Sequence, residues 1–194
     1  MKKLINFVVN IHYWRHQIRT TVQKIYEIEN LIQQNESLIT PDNMKDIQAF
    51  YRTFWVKRYV NLNAPDALVD LFYVYEKHLN KGYLYREEMI FSSTLQTLTN
   101  IGLKLKKFEW VKTLLDNHKP LRIVGKDDTF EIHNFLLANY YFSKMEYDKA
   151  EEILVSLKFK DIFYDIQVYF LIIKIYYEQN SPLLEDKIIS SLYK

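Results

Sequence analysis

Cysteine is absent from this 194-residue chain, glycine occurs three times and proline four times. Each scarcity excludes something. Without cysteine there is no disulfide, no thiolate nucleophile and no Cys-based zinc site. So few glycines leave little material for type I′ hairpins, bulges or phosphate-cradling loops. That argues against an all-β fold and against a Rossmann or P-loop site. No apolar run approaches the length of a membrane span. An excess of one charge is also lacking: the net charge is +2 and the basic residues are scattered. The densest basic clusters, Lys104/Lys106/Lys107 and Arg52/Lys57/Arg58, read as solvated helix faces or as charges favoured by the helix dipole. Nucleic acid is therefore not an expected partner.

What remains is ordinary for a folded chain: 48% hydrophobic and 26% charged residues. The surplus is aromatic, with 16 Tyr and 12 Phe, and reads first as core filling between helices. Apolar positions 4, 8, 11, 14, 18, 22, 25, 28 and 32 are separated by threes and fours, which predicts a long amphipathic first helix. The lysines and short apolar run at its start resemble a signal peptide only faintly, because residues 12–16 are bulky where small residues would be needed. Thr40-Pro41-Asp42 is a helix start. Pro65 opens a third helix, which Gly82 closes in a left-handed C-terminal cap. A fourth helix is expected over 85–105, and a fifth from Phe108 to about Asn117, stopped by Pro120. Ile123-Val124 has the character of a strand, but no second strand is evident for it. Asp128-Thr129-Phe130-Glu131 has capping-box spacing and opens a sixth helix.

Residues 134–157 read as two short amphipathic helices with a tight turn at 143–146. Ala138 and Ala150 would let the two approach closely. An eighth helix begins near Asp161 and is apolar on most sides, so it is expected to be the most buried. Ser181-Pro182 caps a ninth. About nine helices with polar breaks make an all-α chain, forming a single domain over 1–194. Shifted by 39 residues, Phe108-Glu-Trp-Val111 falls on Tyr147-Asp-Lys-Ala150, Leu115 on Leu154, and Asn100 on Asn139.

The unit at 134–157 resembles a tetratricopeptide repeat. Leu137, Ala138, Tyr141, Tyr147, Ala150, Leu154 and Leu157 stand at that family's packing positions, with Met145 in place of the turn glycine. Thr99 and Val111 occupy the small-residue positions of the preceding unit. Residues 85–180 are also similar to a family of uncharacterised bacterial proteins with degenerate repeats. The stretches carrying this are Asn100-Ile-Gly-Leu-Lys-Leu-Lys-Lys-Phe-Glu-Trp, Asn139-Tyr-Tyr-Phe with Tyr147-Asp-Lys-Ala, and Phe159-Lys-Asp-Ile-Phe-Tyr with Ile172-Ile-Lys-Ile-Tyr-Tyr-Glu. The resemblance implies an α-solenoid of antiparallel helical hairpins, divergent over 1–83 and better preserved over 84–194. It also implies a concave face lined by Gln96, Asn100, Lys104, Phe135, Asn139 and Ser143, where a partner protein or peptide would bind.

No residue set points to catalysis, a cofactor or a metal. His12 and His16 have the four-residue spacing of metal ligands but lack a HExxH context and a third ligand. Glu87-Glu88, Glu151-Glu152 and Asp127-Asp128 are adjacent pairs that point apart on a helix, better read as helix starts or solvated faces. No Ser lies in a Gly-x-Ser-x-Gly turn. The expected function is a protein-interaction scaffold in the cytoplasm, with no enzyme activity and no membrane contact. The alternatives are self-assembly into a homo-oligomer and, after that, RNA binding by a helical-repeat groove.

Overall fold

A computed structural model describes residues 22–62, 65–124 and 128–179. The chain divides into two compact units, residues 1–54 and 55–194. In the first unit, helix α1 (Val22–Gln34) is followed by a 3-10 turn at Glu36–Leu38 and the first half of α2 (Pro41–Leu62). Thr40 starts α2 as its sequence predicts, its hydroxyl accepting from the Asn43 amide at 3.4 Å. Ile25, Ile32, Met44, Ile47, Tyr51 and Phe54 are buried. The Tyr51 hydroxyl donates to Glu29 at 2.7 Å, tying α2 to α1. The predicted first helix lies outside the described residues up to residue 21, and so does the predicted ninth.

The second unit contains the rest of α2, then α3 (Pro65–Asn80), strands β1 (Tyr85–Arg86) and β2 (Met89–Phe91), and α4 (Ser92–Lys104). Next come α5 (Phe108–Asn117), a 3-10 turn at Pro120–Arg122 and β3 (Ile123–Val124). Helices α6 (Thr129–Ser143), α7 (Tyr147–Ser156) and α8 (Ile162–Glu178) complete it. The chain is mostly helical, consistent with the all-α expectation, with a small three-stranded sheet in addition. β1 pairs antiparallel with β2, and β2 pairs parallel with β3, aligning Ile90 with Ile123. Ile123-Val124 thus has a partner. It was hidden because a parallel pair needs a long crossover, here α4 and α5 together.

This sheet shortens the predicted fourth helix, which was expected from residue 85 and begins at Ser92. Residues 85–91 form a hairpin, with Glu87 (φ 51°) and Glu88 (φ 66°) as the two residues between the strands. Positive φ at both is the type I′ signature, which glycine and asparagine usually supply. Each non-glycine residue there costs roughly 1–2 kcal/mol. Burial of Leu84, Ile90 and Ile123 in the core offsets that strain. Glu87-Glu88 is therefore a turn, and not a helix start.

Three helices of this unit end in one backbone geometry. A left-handed residue, Gly82 (φ 77°), Lys106 (φ 55°) or Met145 (φ 63°), follows the last turn. Its amide reaches the carbonyl three residues back: Gly82 to Leu79, Lys106 to Leu103, Met145 to Phe142. The next amide reaches five back: Tyr83 to His78, Lys107 to Gly102, Glu146 to Tyr141. This is the Schellman motif, which satisfies carbonyls that the helix end orphans. Lys106 and Met145 are 39 residues apart in the chain, the same offset that aligns the two helical hairpins in sequence.

One core runs through α4 to α8. Leu95, Leu98, Val111, Leu115, Ile132 and Leu136 belong to it, joined by Ala138, Ala150 and Leu154. Phe72 of α3 meets Trp110 of α5 edge-on, their ring centres 4.8 Å apart. Asp128 stands at the N-cap of α6, yet its side chain makes no cap hydrogen bond. It accepts instead from the Lys160 amide at 3.2 Å, so the predicted capping box is replaced by a tie to the loop before α8. Asp161 does cap α8, accepting from the Phe163 amide at 3.0 Å.

Candidate functional site

The six residues expected on a concave face are not equivalent. Gln96, Asn100 and Lys104 lie one turn apart on α4, the first half-buried and the other two exposed. Lys104 is engaged by Tyr59, its ammonium 3.2 Å from the phenol oxygen and 5.3 Å from the ring centre. Asn139 and Ser143 are half-buried on α6. The Asn139 amide donates one of its two N–H groups to its own helix, at the Phe135 carbonyl 2.8 Å away. Phe135 is a correction. It is 5% exposed and packs edge-on against Phe159, because it shares the buried stripe of α6 with Ile132 and Leu136.

The open apolar surface lies elsewhere, on α8. Val168, Leu171 and Ile175 bury one side of that helix. Ile162, Phe163, Ile166, Tyr169, Phe170 and Tyr177 are exposed, Phe163 by 65%. At 100° per residue these six fall on the side opposite those three, and the fourth buried residue, Tyr176, lies at the edge between the two sides. The expectation that α8 is the most buried helix is thus corrected. An all-round apolar helix usually signals full burial, whereas here one side meets the core and, among the described residues, the other stays open.

Sequence reasoning missed a cleft of about 720 Å³ where the β1–β2 hairpin meets the end of α5. Leu79, Trp110 and Leu114 form apolar walls; Asn80, Thr113 and Asn117 line the cleft beside the polar groups of Tyr85 and His118, and Glu88 and Arg122 are its charged residues. His118 follows the last residue of α5 and is 5% exposed. Its Nδ1 lies 2.7 Å from the Leu114 carbonyl, and a carbonyl only accepts, so Nδ1 carries the proton. Nε2 is left as the acceptor for the Tyr85 hydroxyl at 2.8 Å. The two ring planes lie within 16° of each other.

Both groups are held neutral. Burial pushes the His118 imidazole below its ordinary range; the Leu114 bond opposes this, and the charges of Arg122 and His133 add to it. Burial raises the Tyr85 phenol, with Arg122 pulling weakly the other way. The Arg122 backbone is fixed by the turn after α5, where its amide bonds the Lys119 carbonyl at 2.8 Å. His133, on α6, faces the same helix end and bonds the Leu115 carbonyl at 3.0 Å.

The local signal for His118 was present: histidine at a helix C-terminus often engages the last carbonyls. Its partner was not visible, because Tyr85 lies 33 residues earlier in a segment that reads as helix. No three His, Asp or Glu side chains among the described residues are grouped to hold a metal ion. His12 and His16 lie outside the described residues. No helix among the described residues is long and apolar enough to cross a membrane. Comparison with protein-family models, curated proteins and solved structures gave no match.

Proposed function

We propose that this chain is a protein-interaction scaffold, in which helical hairpins hold a partner-binding surface and no reaction is catalysed. The observation that carries the reading is the outer side of α8. Six large apolar side chains stand exposed on a helix whose other side is locked in the core. Surfaces of that kind on folded proteins mark sites of association. The tetratricopeptide-like reading of the hairpins, and with it a solenoid arrangement, is supported by the matching turns at Lys106 and Met145. Gln96, Asn100, Lys104, Asn139 and Ser143 form the proposed polar part of the contact, with Asn100 the freest of them. Localisation in the cytoplasm belongs to the same reading.

The test is affinity capture with the double variant Phe163→Ser/Phe170→Ser beside Asn100→Ala/Asn139→Ala. The α8 variant is expected to lose its partners, and the asparagine variant to weaken them. Unchanged recovery with both removes the scaffold reading. The same apolar side also supports the second reading, self-assembly into a homo-oligomer. Light scattering across a concentration series separates the two. A mass that rises with concentration, and falls back to the monomer in the α8 variant, assigns the surface to a second copy.

A further inference from the structure

We propose that the cleft between the β1–β2 hairpin and α5 is a binding site for a small zwitterion with an apolar side chain, an α-amino acid or a short peptide. Arg122 would take its carboxylate and Glu88 its ammonium group.

The argument starts from charge. Arg122 and Glu88 both line the cleft. Neither forms an ion pair with any described residue, nor do they pair with each other. The cleft therefore presents one positive and one negative group held apart. A simple anion would meet Arg122 but face the Glu88 carboxylate as well, and a simple cation would face Arg122. A ligand carrying both charges separately satisfies each.

The Tyr85–His118 pair in the same cleft adds no charge. It is internally satisfied: Nδ1–H is given to Leu114, and Nε2 takes the phenol proton. The phenol oxygen keeps a lone pair that can accept one more hydrogen bond, suited to an ammonium group. Leu79, Trp110 and Leu114 line the same space with apolar surface. Its volume, about 720 Å³, lies within the size class of small-molecule sites, roughly 300–1,000 Å³.

The backbone is built for the placement. Glu88 sits at φ 66° in a turn that its side-chain type does not favour. Strain of this kind persists where the surroundings over-determine it, and it concentrates at ligand sites. Arg122 is fixed between a 3-10 turn and the strand that pairs with β2. The two charged residues thus stand in turns that directly precede paired strands, Glu88 before β2 and Arg122 before β3.

Isothermal titration calorimetry on the full chain tests this with four probes: phenylalanine, glycyl-phenylalanine, 3-phenylpropionate and phenethylamine. One of the two zwitterions is expected to bind saturably, and which one it is separates a free amino acid from a peptide. Each singly charged analogue forfeits a charge-assisted contact and is expected to bind about tenfold or more weakly. Arg122→Gln should abolish the preference over phenethylamine, and Glu88→Gln the preference over 3-phenylpropionate. Both side chains are exposed, so the variants keep the fold, which circular dichroism checks. The proposal is overturned if neither zwitterion binds at millimolar concentration, or if the two substitutions leave both preferences intact.

Discussion

The hairpins α4/α5 and α6/α7 share a turn geometry and a 39-residue offset, yet they bring their helices together by different means. In α6/α7 the contact is made by small residues on both sides, Ala138 and Ala150, each wholly buried. The equivalent positions in α4/α5 are Thr99 and Val111, also wholly buried and larger. The room for Val111 comes from Gly102. A Cβ built at that glycine would lie 2.5 Å from Val111 Cγ2 and 3.3 Å from the Trp110 ring. Gly102 corresponds by offset to Tyr141, a half-buried aromatic of the other hairpin. The small residue that admits the second helix therefore stands one turn further along the first helix in α4/α5 than in α6/α7.

Exchanging the devices should break each hairpin, and this is the largest expected effect. Gly102→Ala would gain about 1 kcal/mol if helix propensity alone decided. The clash with Val111 should reverse the sign, giving a loss of about 1–3 kcal/mol in urea unfolding. Val111→Ala in that background is expected to recover part of the loss, with a coupling of about 1 kcal/mol or more. A stabilised Gly102→Ala would show that the close approach does not govern the contact. Ala150→Val, which imports the larger residue without an opposing glycine, should likewise cost about 1–3 kcal/mol.

The ends of the second helices differ as well. α5 ends at His118, and the position 39 residues on is the buried Leu157. Because the folded state holds the imidazole below its ordinary value of 6.5, the unfolded chain binds more protons as the pH falls through that value. His118 therefore contributes stability that is intact above pH 6.5 and is lost progressively below it. Denaturation midpoints measured between neutral and mildly acidic pH should decline, and His118→Leu should flatten that decline. An equal slope in the variant would assign the acid sensitivity to other groups.

Smaller effects sharpen the contrast further. The Thr99 hydroxyl is buried without a hydrogen-bond partner among the described residues, so Thr99→Val should stabilise by about 1 kcal/mol by removing an unmet polar group. At the turn, Met145 is 76% exposed at φ 63°, so Met145→Gly relieves strain and forfeits little burial. A gain of roughly 0.5–1 kcal/mol in thermal unfolding is expected. Gly82→Ala, at the equivalent cap of α3, should shift stability by a similar amount in the opposite direction.

The sequence made the helices legible wherever a local device marked them. Thr40-Pro41 opens α2, Pro65 opens α3 and Gly82 caps it, and Asp161 starts α8. The hairpin 85–91 was not legible, because strands of two and three residues carry no periodicity and its turn uses two glutamates. The parallel partner of Ile123 was hidden for a different reason: its signal lies across two helices, beyond the reach of any local pattern. Of the predicted contact face, Asn100 keeps its exposure and Phe135 does not, because Phe135 shares the buried side of α6 with Ile132 and Leu136. The cleft depends on Tyr85 and His118 meeting across 33 residues of chain, which only the folded sheet brings about.

That parallel pairing of β2 with β3 also sets an order of events. The contacts within α4/α5 and within α6/α7 join residues close in sequence, and such contacts form early because they close short loops. β2 and β3 pair across that intervening hairpin, so their alignment is expected to follow its closure. The sheet, and the cleft it carries, is therefore expected to form on the native side of the folding barrier. In rate terms, Ile90→Val and Ile123→Val should leave refolding nearly unchanged and speed unfolding. The strain of the Glu87-Glu88 turn is thereby taken on late, when the core beneath it is already formed.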